Sequence, residues 1–522
     1  MQQGNYNPSV TSGNHTSLWL EEPAATLASL DSNEETDVVI VGAGISGLTT
    51  AYCLLLKGKK VIVVEDGNVG SGESGRTTAH LACALDDRFY DLERFFGKDG
   101  SKQAAQSHAD AIDFIENVVL AENIDCDFLR VPGYLFLHPT DKPENLEKEF
   151  EASQNAGLPV RWEKNIPGIS GAKEGIEYPR QAQFHVMKYL NGLVRAILGR
   201  GGKIYTKTKA DKIEENGVEA NGFRIDSKAV VVATNSPIND MFAIHTKQAP
   251  YRTYVVAAKV PKGELPYALW WDTGDQESKW PTFPYHYVRL QPHDDTHDYL
   301  IAGGEDHKTG QADSEGIREP ERYNKLEQWT RAHFPAISKL EYVWSGQCME
   351  PVDGLAFIGK NPGDKNIYII TGDSGNGMTH GTLGGMIVSD LIANGENKYA
   401  SLYDPSRITW SSAGDFIEEQ ANVAKQYLDW LTPEESKDVE SVPPGKGAIL
   451  SGFSKKAAYR DQDGQLHVYS AVCPHMGCIV QWNDDEKSFD CPCHGSRFGC
   501  DGNVLNGPAM NGLKKLDDKA SS

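Results

Sequence analysis

Residues 473–494 read CPHMGCIVQWNDDEKSFDCPCH, and this stretch decides how the C-terminal part of the chain is interpreted. Cys473 and His475 form one short arm, and Cys491 and His494 form a second. Together the arms offer two thiolates and two imidazoles. Such a set can bind a zinc ion, or a [2Fe–2S] cluster in which imidazoles replace both thiolates on one iron.

The residues around the two arms favour the cluster. After His494 the chain continues GSRFGCDGNVLNGPA, and the whole stretch resembles the Rieske domain family. The resemblance implies that Cys473 and Cys491 bind one iron and that His475 and His494 bind the other. Because the surrounding residues also follow the family's order, zinc is the weaker alternative.

The same resemblance implies roles for four further residues near the ligands. Cys478 and Cys493 match the pair that forms a disulfide in respiratory-chain Rieske proteins. Ser496 matches a hydroxyl that hydrogen-bonds a cluster sulfur in high-potential members, whereas Phe498 stands where those members carry tyrosine. One hydrogen bond fewer predicts a lower reduction potential, within a class that spans about −150 to +300 mV. The chain should therefore contain a moderately reducing electron donor.

A dinucleotide-binding unit near the N-terminus is the predicted donor site. An apolar run at residues 38–41 reads as a buried parallel strand, followed by the turn GAGISG, a helical stretch and a second apolar run that ends at Glu65. Glycines at this spacing let backbone N–H groups approach a pyrophosphate at the helix N-terminus, and the acid is placed to bind a ribose diol. The predicted cofactor-binding residues here are Gly42, Gly44, Ile45, Ser46, Gly47 and Glu65.

Two later segments are predicted to complete the cofactor site. Residues 228–235 form another apolar run that ends in small side chains, and residues 367–379 read as a strand, a glycine-rich turn and the start of a helix. A helix N-terminus at this turn could stabilise electron density on a flavin ring. The predicted cofactor contacts are Ala233, Thr234, Asp373, Gly375, Asn376, Gly377, Met378 and Thr379.

This layout resembles the FAD-dependent D-amino-acid oxidase family, which includes glycine, sarcosine and dimethylglycine oxidases, over residues 37–405. The resemblance implies bound FAD and hydride transfer from the carbon next to an amine nitrogen. Arg76, Thr77, Thr78 and His80 lie where such proteins approach the flavin. His80 is similar in context to a histidine that bonds covalently to the flavin in dimethylglycine-oxidising relatives. The alternative is a histidine that hydrogen-bonds cofactor or backbone.

The substrate is expected at an antiparallel sheet that includes residues 251–261 and 299–304. An aromatic concentration lies between these two segments, at residues 270–287. Aromatic faces can hold a methylated ammonium, although each of these residues could equally be core. We take Tyr251, His286 and Arg289 as candidate catalytic residues, with Arg289 suited to a substrate carboxylate.

The fold class that follows is an α/β FAD-binding Rossmann-type domain with an antiparallel β substrate domain, plus a small all-β Rieske domain. We divide the chain into an N-terminal extension (1–36), the oxidoreductase (37–405), a helix and linker (406–440) and the Rieske domain (441–522). The first 17 residues are polar and turn-rich, and we expect them to be disordered. Apolar residues repeat every seven positions over 416–431, which predicts a helix docked on the flavoprotein.

The predicted function is oxidation of an amine or amino acid, with electrons passing from reduced FAD through the cluster to an acceptor protein or O₂. Two alternatives stay open: a flavin monooxygenase fed by the Rieske domain, and an electron carrier without a small-molecule substrate. No domain with a two-His-one-carboxylate iron site is evident, which argues against aromatic-ring hydroxylation.

The net charge and the distribution of cysteines limit which binding partners and which cellular compartment we expect. With 51 Lys and Arg against 73 Asp and Glu, the chain carries a net charge of −22, which argues against nucleic acid as a partner. Four of the nine cysteines are scattered upstream of residue 473, which favours a reducing cytoplasm, and no signal peptide is visible. Residues 38–56 lack charge, but the glycine motif within them argues against a membrane span.

Overall fold

The structure is a computed structural model, and it describes residues 12–239, 244–312, 316–409, 417, 421–423, 425–426, 439–450 and 455–516. We refer to the part before residue 410 as the N-terminal domain. The part from residue 439 onward is the C-terminal domain.

The strands and helices follow one another along the whole described chain. The strands are β1 (Glu34–Glu35), β2 (Val38–Val41), β3 (Val61–Val64), β4 (His80–Leu81), β5 (Leu129–Phe136), β6 (Arg161–Glu163), β7 (Gly175–Gln183), β8 (Lys203–Tyr205), β9 (Ala210–Glu214), β10 (Gly217–Ala220), β11 (Phe223–Asp226), β12 (Ala229–Val232), β13 (Gln248–Pro261), β14 (Leu269–Asp272), β15 (Tyr287–Pro292), β16 (His297–Lys308), β17 (Leu340–Pro351), β18 (Phe357–Lys360), β19 (Ile367–Thr371), β20 (Lys446–Leu450), β21 (Lys456–Arg460), β22 (Leu466–Ser470), β23 (Gln481–Asn483), β24 (Ser488–Asp490), β25 (Arg497–Gly499) and β26 (Val504–Asn506). The α-helices are α1 (Ile45–Leu56), α2 (Phe89–Ala121), α3 (Pro143–Asn155), α4 (Val186–Gly199), α5 (Glu319–His333), α6 (Gly377–Asn394) and α7 (Ala400–Tyr403).

A six-stranded sheet in the order β18-β19-β12-β2-β3-β8 forms the centre of the N-terminal domain. The strands from β19 to β8 run parallel, and β18 pairs antiparallel at the edge. Every residue of β2, β3 and β12 is buried, as expected for valine- and isoleucine-rich strands covered on both faces. Residues 38–56 thus form a strand, a turn and a helix, as the glycine motif predicts.

A nine-stranded, mostly antiparallel sheet forms a second layer. Its main path is β17-β13-β16-β15-β14-β5-β7-β4, and β6 pairs with β7. Strands β13 and β16 include the predicted segments 251–261 and 299–304 and pair antiparallel. The predicted antiparallel substrate sheet is therefore confirmed. A smaller sheet, β1-β11-β10-β9, completes the N-terminal domain.

The C-terminal domain contains two antiparallel sheets, β20-β21-β22 and β23-β24-β25-β26. Its core includes Phe489, Phe498 and the four cysteines of residues 473–493. The all-β fold predicted for this part is confirmed.

The expectation of disorder before residue 18 is wrong for the residues that the structure describes. Ser12 and Ser17 are buried, and the hydroxyl of Ser17 donates to the carbonyl of Gly75 at 2.5 Å. The backbone N–H of Asn14 donates to Glu486 in the C-terminal domain at 2.5 Å. The polar composition predicted disorder, but these residues form hydrogen bonds with other buried polar groups instead of with water.

Buried charges join the two domains where this segment passes between them. Glu486, 1 % exposed, lies 3.4 Å from a guanidinium nitrogen of Arg76 and 3.5 Å from one of Arg252. Burial raises the pKa of Glu486, but the two guanidinium groups and His15 outweigh it and hold this pKa well below its usual range. The carboxylate is therefore ionised, and it compensates two cations that have also left water.

The predicted helix over 416–431 lies largely outside the described residues, including Phe416, Ala424, Trp430 and Leu431. Val423 packs against the core of the C-terminal domain, whereas Asn422 exchanges hydrogen bonds with Gln311 of the N-terminal domain. The described part of this segment therefore contacts both domains. Its apolar residue Val423 packs on the C-terminal domain, whereas the prediction placed the apolar stripe on the N-terminal domain.

Replacing Glu486 by Gln should destabilise the protein by about 3–5 kcal/mol, because it leaves Arg76 and Arg252 buried without their counter-ion. Chemical denaturation followed by circular dichroism measures the change. Lys446→Gln, which breaks an exposed ion pair with Asp484, serves as the control and should cost less than about 1 kcal/mol. Equal effects in the two variants would show that Glu486 contributes no more than a surface pair.

Candidate functional site

The turn between β2 and α1 has the geometry of a dinucleotide site. Gly42 has φ +108°, and a Cβ there would lie 2.4 Å from the carbonyl oxygen of Ala233. A Cβ on Gly47 would lie 1.9 Å from the carbonyl oxygen of Gly42. Both positions thus require glycine, and the tight turn brings backbone N–H groups at the start of α1 towards the adjacent cavity.

Glu65 closes the same end of the site. Its carboxylate accepts hydrogen bonds from the backbone N–H groups of Ala43 at 2.7 Å and Gly67 at 3.0 Å. Burial raises the pKa of Glu65 well above its usual range. Because Glu65 also lines the cavity, its oxygens can still accept a hydrogen bond from a ribose hydroxyl.

A cavity of about 800 Å³ extends from this turn to the nine-stranded sheet, a size that suits a large cofactor. Most of the predicted contacts line it. They are Gly42, Gly44, Ile45, Ser46, Glu65, Arg76, Thr77, Thr78, Ala233, Thr234, Asp373, Gly375, Gly377, Met378 and, among the catalytic candidates, Tyr251. The geometry of the turn and the cavity together fit FAD.

Three of the predicted cofactor contacts, Gly47, Asn376 and Thr379, do not line the cavity but support residues that do. Gly47 packs on the turn, and the Thr379 hydroxyl lies 2.8 Å from Nδ1 of His108. The side-chain nitrogen of Asn376 donates to Asp86 at 3.2 Å, and the backbone N–H of Asp86 donates to the oxygen of Asn376 at 3.2 Å. Asn376 therefore orients a cavity acid.

His80 is held by protein hydrogen bonds. Its Nδ1 lies 2.9 Å from the Thr78 hydroxyl, and its Nε2 lies 3.3 Å from the carbonyl oxygen of Val288. Burial lowers the pKa of His80 to about 3, so the ring is neutral. His80 is not among the residues that line the cavity. The structure thus supports the hydrogen-bonding interpretation over covalent attachment to flavin.

His286 and Arg289, two of the predicted catalytic residues, are not among the residues that line the cavity, so the geometry gives their assignment no support. Nδ1 of His286 lies 2.9 Å from Asp272, and its ring stacks on Trp329 with centroids 4.1 Å apart. His286 directly precedes β15 and, unlike its neighbours Tyr285 and Tyr287, does not line the cavity.

Arg289 is fully buried in the protein interior. One guanidinium nitrogen donates to the carbonyl oxygens of Ala79 at 2.7 Å and Phe184 at 3.1 Å, and the other donates to Gln291. Arg289 lies on the same face of β15 as Tyr287 but one pleat further along, beneath the cavity wall. It fixes the backbone of the segment that contains Thr78 and His80, and it does not face a substrate.

A group of acids missed by the sequence reasoning lines the cavity beside the turn after β19. Its members are Asp86, Asp87, Asp306 and Glu350. Gly375 belongs to that turn, and a Cβ on it would lie 1.8 Å from Oδ2 of Asp86. The hydroxyl of Ser374 donates to both Asp87, at 2.7 Å, and Glu350, at 2.8 Å. The sequence signal was an acidic pair that directly follows the apolar run 81–85.

Burial sets the protonation of these acids. It raises the pKa of Asp86 and of Asp306 to about 7, that of Asp87 to about 6 and that of Glu350 well above its usual range. Around neutral pH the group thus holds both protonated and ionised carboxyls. Such groups can bind a cation and exchange protons with it.

The cationic side chains among the described lining residues are Arg76 and Lys209. Arg76 is committed to the domain contact, where it donates to the carbonyl oxygen of Ser345 at 2.7 Å. Lys209 donates to the carbonyl oxygen of Met510 at 2.7 Å. Neither pairs with the acid group. Burial is the main influence on the pKa values of Asp86, Asp87 and Asp306 and raises them, whereas Arg88 and Arg322, which lie outside the lining, lower them in part.

The C-terminal domain supplies part of the cavity wall. Residues between 501 and 512 line it opposite the glycine turn. The side-chain nitrogen of Asn506 donates to Glu73 of the N-terminal domain at 2.7 Å. The two domains have separate cores but share one cavity, which the sequence did not indicate.

The predicted metal ligands converge at the edge of the C-terminal domain. The rings of His475 and His494 lie side by side, with centroids 5.1 Å apart and planes at 90°. Both Cys473 and Cys491 are buried, and each thiol perturbs the pKa of the other. Nδ1 of His494 is buried and has no hydrogen-bond partner among the described residues. These donors fit a [2Fe–2S] cluster with two thiolate and two imidazole ligands.

The surroundings of the ligands match the Rieske expectation. Cys478 and Cys493 form a disulfide, as the resemblance implies. The Ser496 hydroxyl contacts the thiol of Cys473, whose pKa it lowers together with Cys491, the main cause. Phe498 is fully buried in the same core.

Phe498→Tyr should raise the cluster's reduction potential, and Ser496→Ala should lower it, because hydrogen bonds to the cluster stabilise its reduced, more negative form. One net hydrogen bond of about 1 kcal/mol corresponds to about 40 mV for one electron. Protein-film voltammetry of the two variants and the parent protein measures the shifts. Identical potentials in all three proteins would mean that neither side chain acts on the cluster.

Among the described helices, none is both long and apolar enough to cross a bilayer.

Comparison with known proteins agrees with this geometry. The model of the FAD dependent oxidoreductase family matches residues 37–391, and that of the Rieske [2Fe-2S] domain matches residues 434–517. A relative from Bacillus subtilis (strain 168), YhfW, is 32 % identical over 496 residues, which cover 94 % of each chain. YhfW carries the provisional name of a Rieske 2Fe-2S iron-sulfur protein.

More distant relatives share the N-terminal domain. The gamma-glutamylputrescine oxidoreductase of Escherichia coli (strain K12) is 24 % identical over 406 residues, 74 % of this chain and 91 % of its own. The glycine oxidase structure from Geobacillus kaustophilus superposes with a TM-score of 0.58 at 18 % identity, over 72 % of this chain and 100 % of its own. The glycine oxidase of Bacillus cereus ATCC 14579 gives 0.56 at 20 % identity, over 72 % and 99 %.

The family match spans more than half of the sequence, and it agrees with the glycine turn, the cavity and the cysteine–histidine cluster. The chain therefore belongs to the FAD dependent oxidoreductase family; it binds FAD and, in its C-terminal Rieske domain, a [2Fe–2S] cluster.

Proposed function

We propose that this protein oxidises the C–N bond of a cationic amine and delivers the electrons through its Rieske domain to an acceptor. The observation that carries the substrate class is the acid group Asp86, Asp87, Asp306 and Glu350 beside the predicted flavin position. An amino acid would also need a cation for its carboxylate, and Arg289, the residue expected to supply it, lies outside the cavity. This favours an amine over an amino acid.

The chemistry divides between the cofactors and the chain. When bound, FAD takes a hydride from the carbon next to nitrogen, and the cluster carries single electrons. The chain's own residues hold and orient the substrate. Tyr251, Tyr285 and Tyr287 line the cavity near the acids, and aromatic faces attract an ammonium group.

The acids also serve proton transfer. An ammonium group must lose a proton before its neighbouring carbon can release a hydride. With pKa values of about 7, Asp86 and Asp306 are poised to accept that proton around neutral pH. Asn376 holds Asp86 in place, and Thr253 contacts Asp306.

An anaerobic screen of amines and amino acids, read by the visible absorbance of the flavin, tests the proposal. We expect amines without a carboxylate to bleach the flavin faster than amino acids of matched length. Bleaching by amino acids alone would contradict the substrate class. Flavin reduction that requires an external electron donor would instead support the monooxygenase alternative. No bleaching by any amine or amino acid would favour an electron carrier without a small-molecule substrate.

Binding of the amine should tighten as pH rises from about 6 to 8. The pKa values of Asp86 and Asp306 are raised to about 7, so both carboxyls are neutral below that pH and become anionic above it. KM measured across this range should fall. Asp306→Asn should raise KM about tenfold or more at pH 8, since a charged hydrogen bond is worth about 1.5–3 kcal/mol.

Asp275→Asn is the matched control for Asp306→Asn. Asp275 accepts a hydrogen bond from Thr140 and does not line the cavity. KM should not change in this variant. A pH-independent KM in the parent protein would contradict a role for the acids in binding.

Cys473→Ser should remove the cluster and leave FAD bound, because the glycine turn and Glu65 belong to the N-terminal core. Metal and flavin analysis should find one FAD, two irons and two sulfides per chain in the parent protein, and iron loss in the variant. Cys500→Ser, which alters a cysteine of the same domain outside the ligand set, should keep both cofactors. Stoichiometric zinc in the parent protein would refute the cluster.

The flavin of Cys473→Ser should still be reduced by substrate, while turnover with the acceptor is lost. If the flavin were no longer reduced although FAD is bound, the proposed order of electron transfer would be wrong.

A further inference from the structure

The loop Cys491–Gly495, which we call the ligand loop, carries two of the cluster ligands and lies against the N-terminal domain. A Cβ on Gly310 would lie 3.0 Å from Cα of Pro492, so backbone packs on backbone there. The side-chain nitrogen of Gln311 donates to the carbonyl oxygen of Pro492 at 3.4 Å. The ligand loop is therefore held from the flavin-binding side.

Gln347 makes a more direct connection. Its side-chain nitrogen donates to the carbonyl oxygen of Gly495, next to the ligand His494, at 3.0 Å. Its side-chain oxygen accepts from the hydroxyl of Thr309 at 3.1 Å, which fixes the orientation of the amide. Gln347 is 2 % exposed and also lines the cofactor cavity. One side chain thus links the cavity wall to the ligand loop.

His245 of the N-terminal domain packs on the two imidazole ligands. It belongs to a short 3-10 helix (His245–Lys247) directly before β13. Its ring centroid lies 4.9 Å from that of His475 and 6.0 Å from that of His494. His245 is 2 % exposed and His494 is 3 % exposed. The imidazole side of the cluster site is thus covered by the same chain that forms the cofactor cavity.

We propose that electrons pass between flavin and cluster within one chain at this contact, and that Gln347 and His245 are positioning residues for the transfer. The proposal rests on the proposed function, because it assigns a route to the electrons of amine oxidation. Each oxidation releases two electrons, and water hydrolyses the resulting imine to a carbonyl compound and ammonia. The two electrons would cross one at a time. Each would reduce one iron of the cluster from the ferric to the ferrous state, and an external one-electron acceptor would reoxidise the cluster before the next electron crosses.

The contact suits transfer because it is buried and fixed. Gln347 reaches both sites without an intervening gap, and the Glu486 ion pairs keep the two domains from separating. A flexible Rieske domain would have to swing between donor and acceptor, whereas this one is locked beside the cavity.

Laser-flash photolysis of the fully loaded protein tests the route. A flash-generated deazaflavin radical injects single electrons anaerobically, and the flavin and cluster absorbances then report how electrons redistribute. No amine is needed, so a failed amine screen and a failed transfer route are distinguishable. We expect a first-order exchange whose rate constant is independent of protein concentration. A rate proportional to concentration would show transfer between chains and overturn the proposal.

Two variants test the named residues. Gln347→Met, similar in size but without the amide donor, and His245→Leu should each slow the exchange several-fold, because each removes a contact that holds the ligand loop against the cavity wall. His467→Leu is the matched control, because His467 lies elsewhere in the C-terminal domain beside Asp461 and should leave the rate unchanged.

For each variant we would also measure the cluster content, the electron paramagnetic resonance spectrum and the hydrogen exchange of the ligand loop. The proposal expects intact clusters with a slower exchange and a less protected loop. Parent-like rates in both Gln347→Met and His245→Leu would overturn the role of these residues. The concentration series on the parent protein decides the intrachain route even if a variant fails to load its cluster.

Discussion

The relative position of the two domains depends on the buried ion pairs of Glu486 with Arg76 and Arg252. Glu486 is a single carboxylate buried between two guanidinium groups from the other domain, with His15 of the N-terminal segment beside it. Buried charges are costly unless they are paired, so each partner holds the others in place. Asn14 and His15 of the described N-terminal segment contact Glu486 and help to close this cluster. The fixed domain position that results is what allows a shared cavity and a covered cluster site.

The cavity has two ends with opposite chemistry. At one end, the glycine turn presents the N-terminus of α1, whose partial positive charge favours a pyrophosphate. At the other end, burial places four carboxyls beside the turn after β19 and raises their pKa values. The anionic cofactor and the cationic substrate that we propose would thus bind at different ends of one space. The C-terminal domain closes the side of this space, so both cofactors share a wall.

The N-terminal domain covers the cluster site. The two imidazole ligands face His245, and the carbonyl oxygen next to His494 accepts a hydrogen bond from Gln347. In a Rieske domain that did not pack on the flavin-binding domain, these histidine ligands would be exposed to a partner protein. Here the flavin-binding domain occupies that position, which makes it the natural redox neighbour of the cluster.

The sequence by itself determined the features that depend on local spacing. The glycine turn at residues 42–47, the buried strands around it and the cysteine and histidine arms were all readable, because each arises from residues close together in the chain or from a motif of fixed order. The family resemblances that these motifs carry implied the disulfide, the fold class and both cofactors, and the comparisons confirm the fold class and the cofactors.

Tertiary structure alone decided which side chains meet across the fold. His286 and Arg289 were predicted as site residues, but neither lines the cavity: His286 lies beside Asp272, and Arg289 donates to the carbonyl oxygens of Ala79 and Phe184. The acids Asp86, Asp306 and Glu350 come from three separate segments, and only the folded sheet brings them to one end of the cavity. The same holds for Glu486, Arg76 and Arg252. Burial sets the charge of these groups, and burial is a property of the packed molecule, so no local pattern of residues could have shown it.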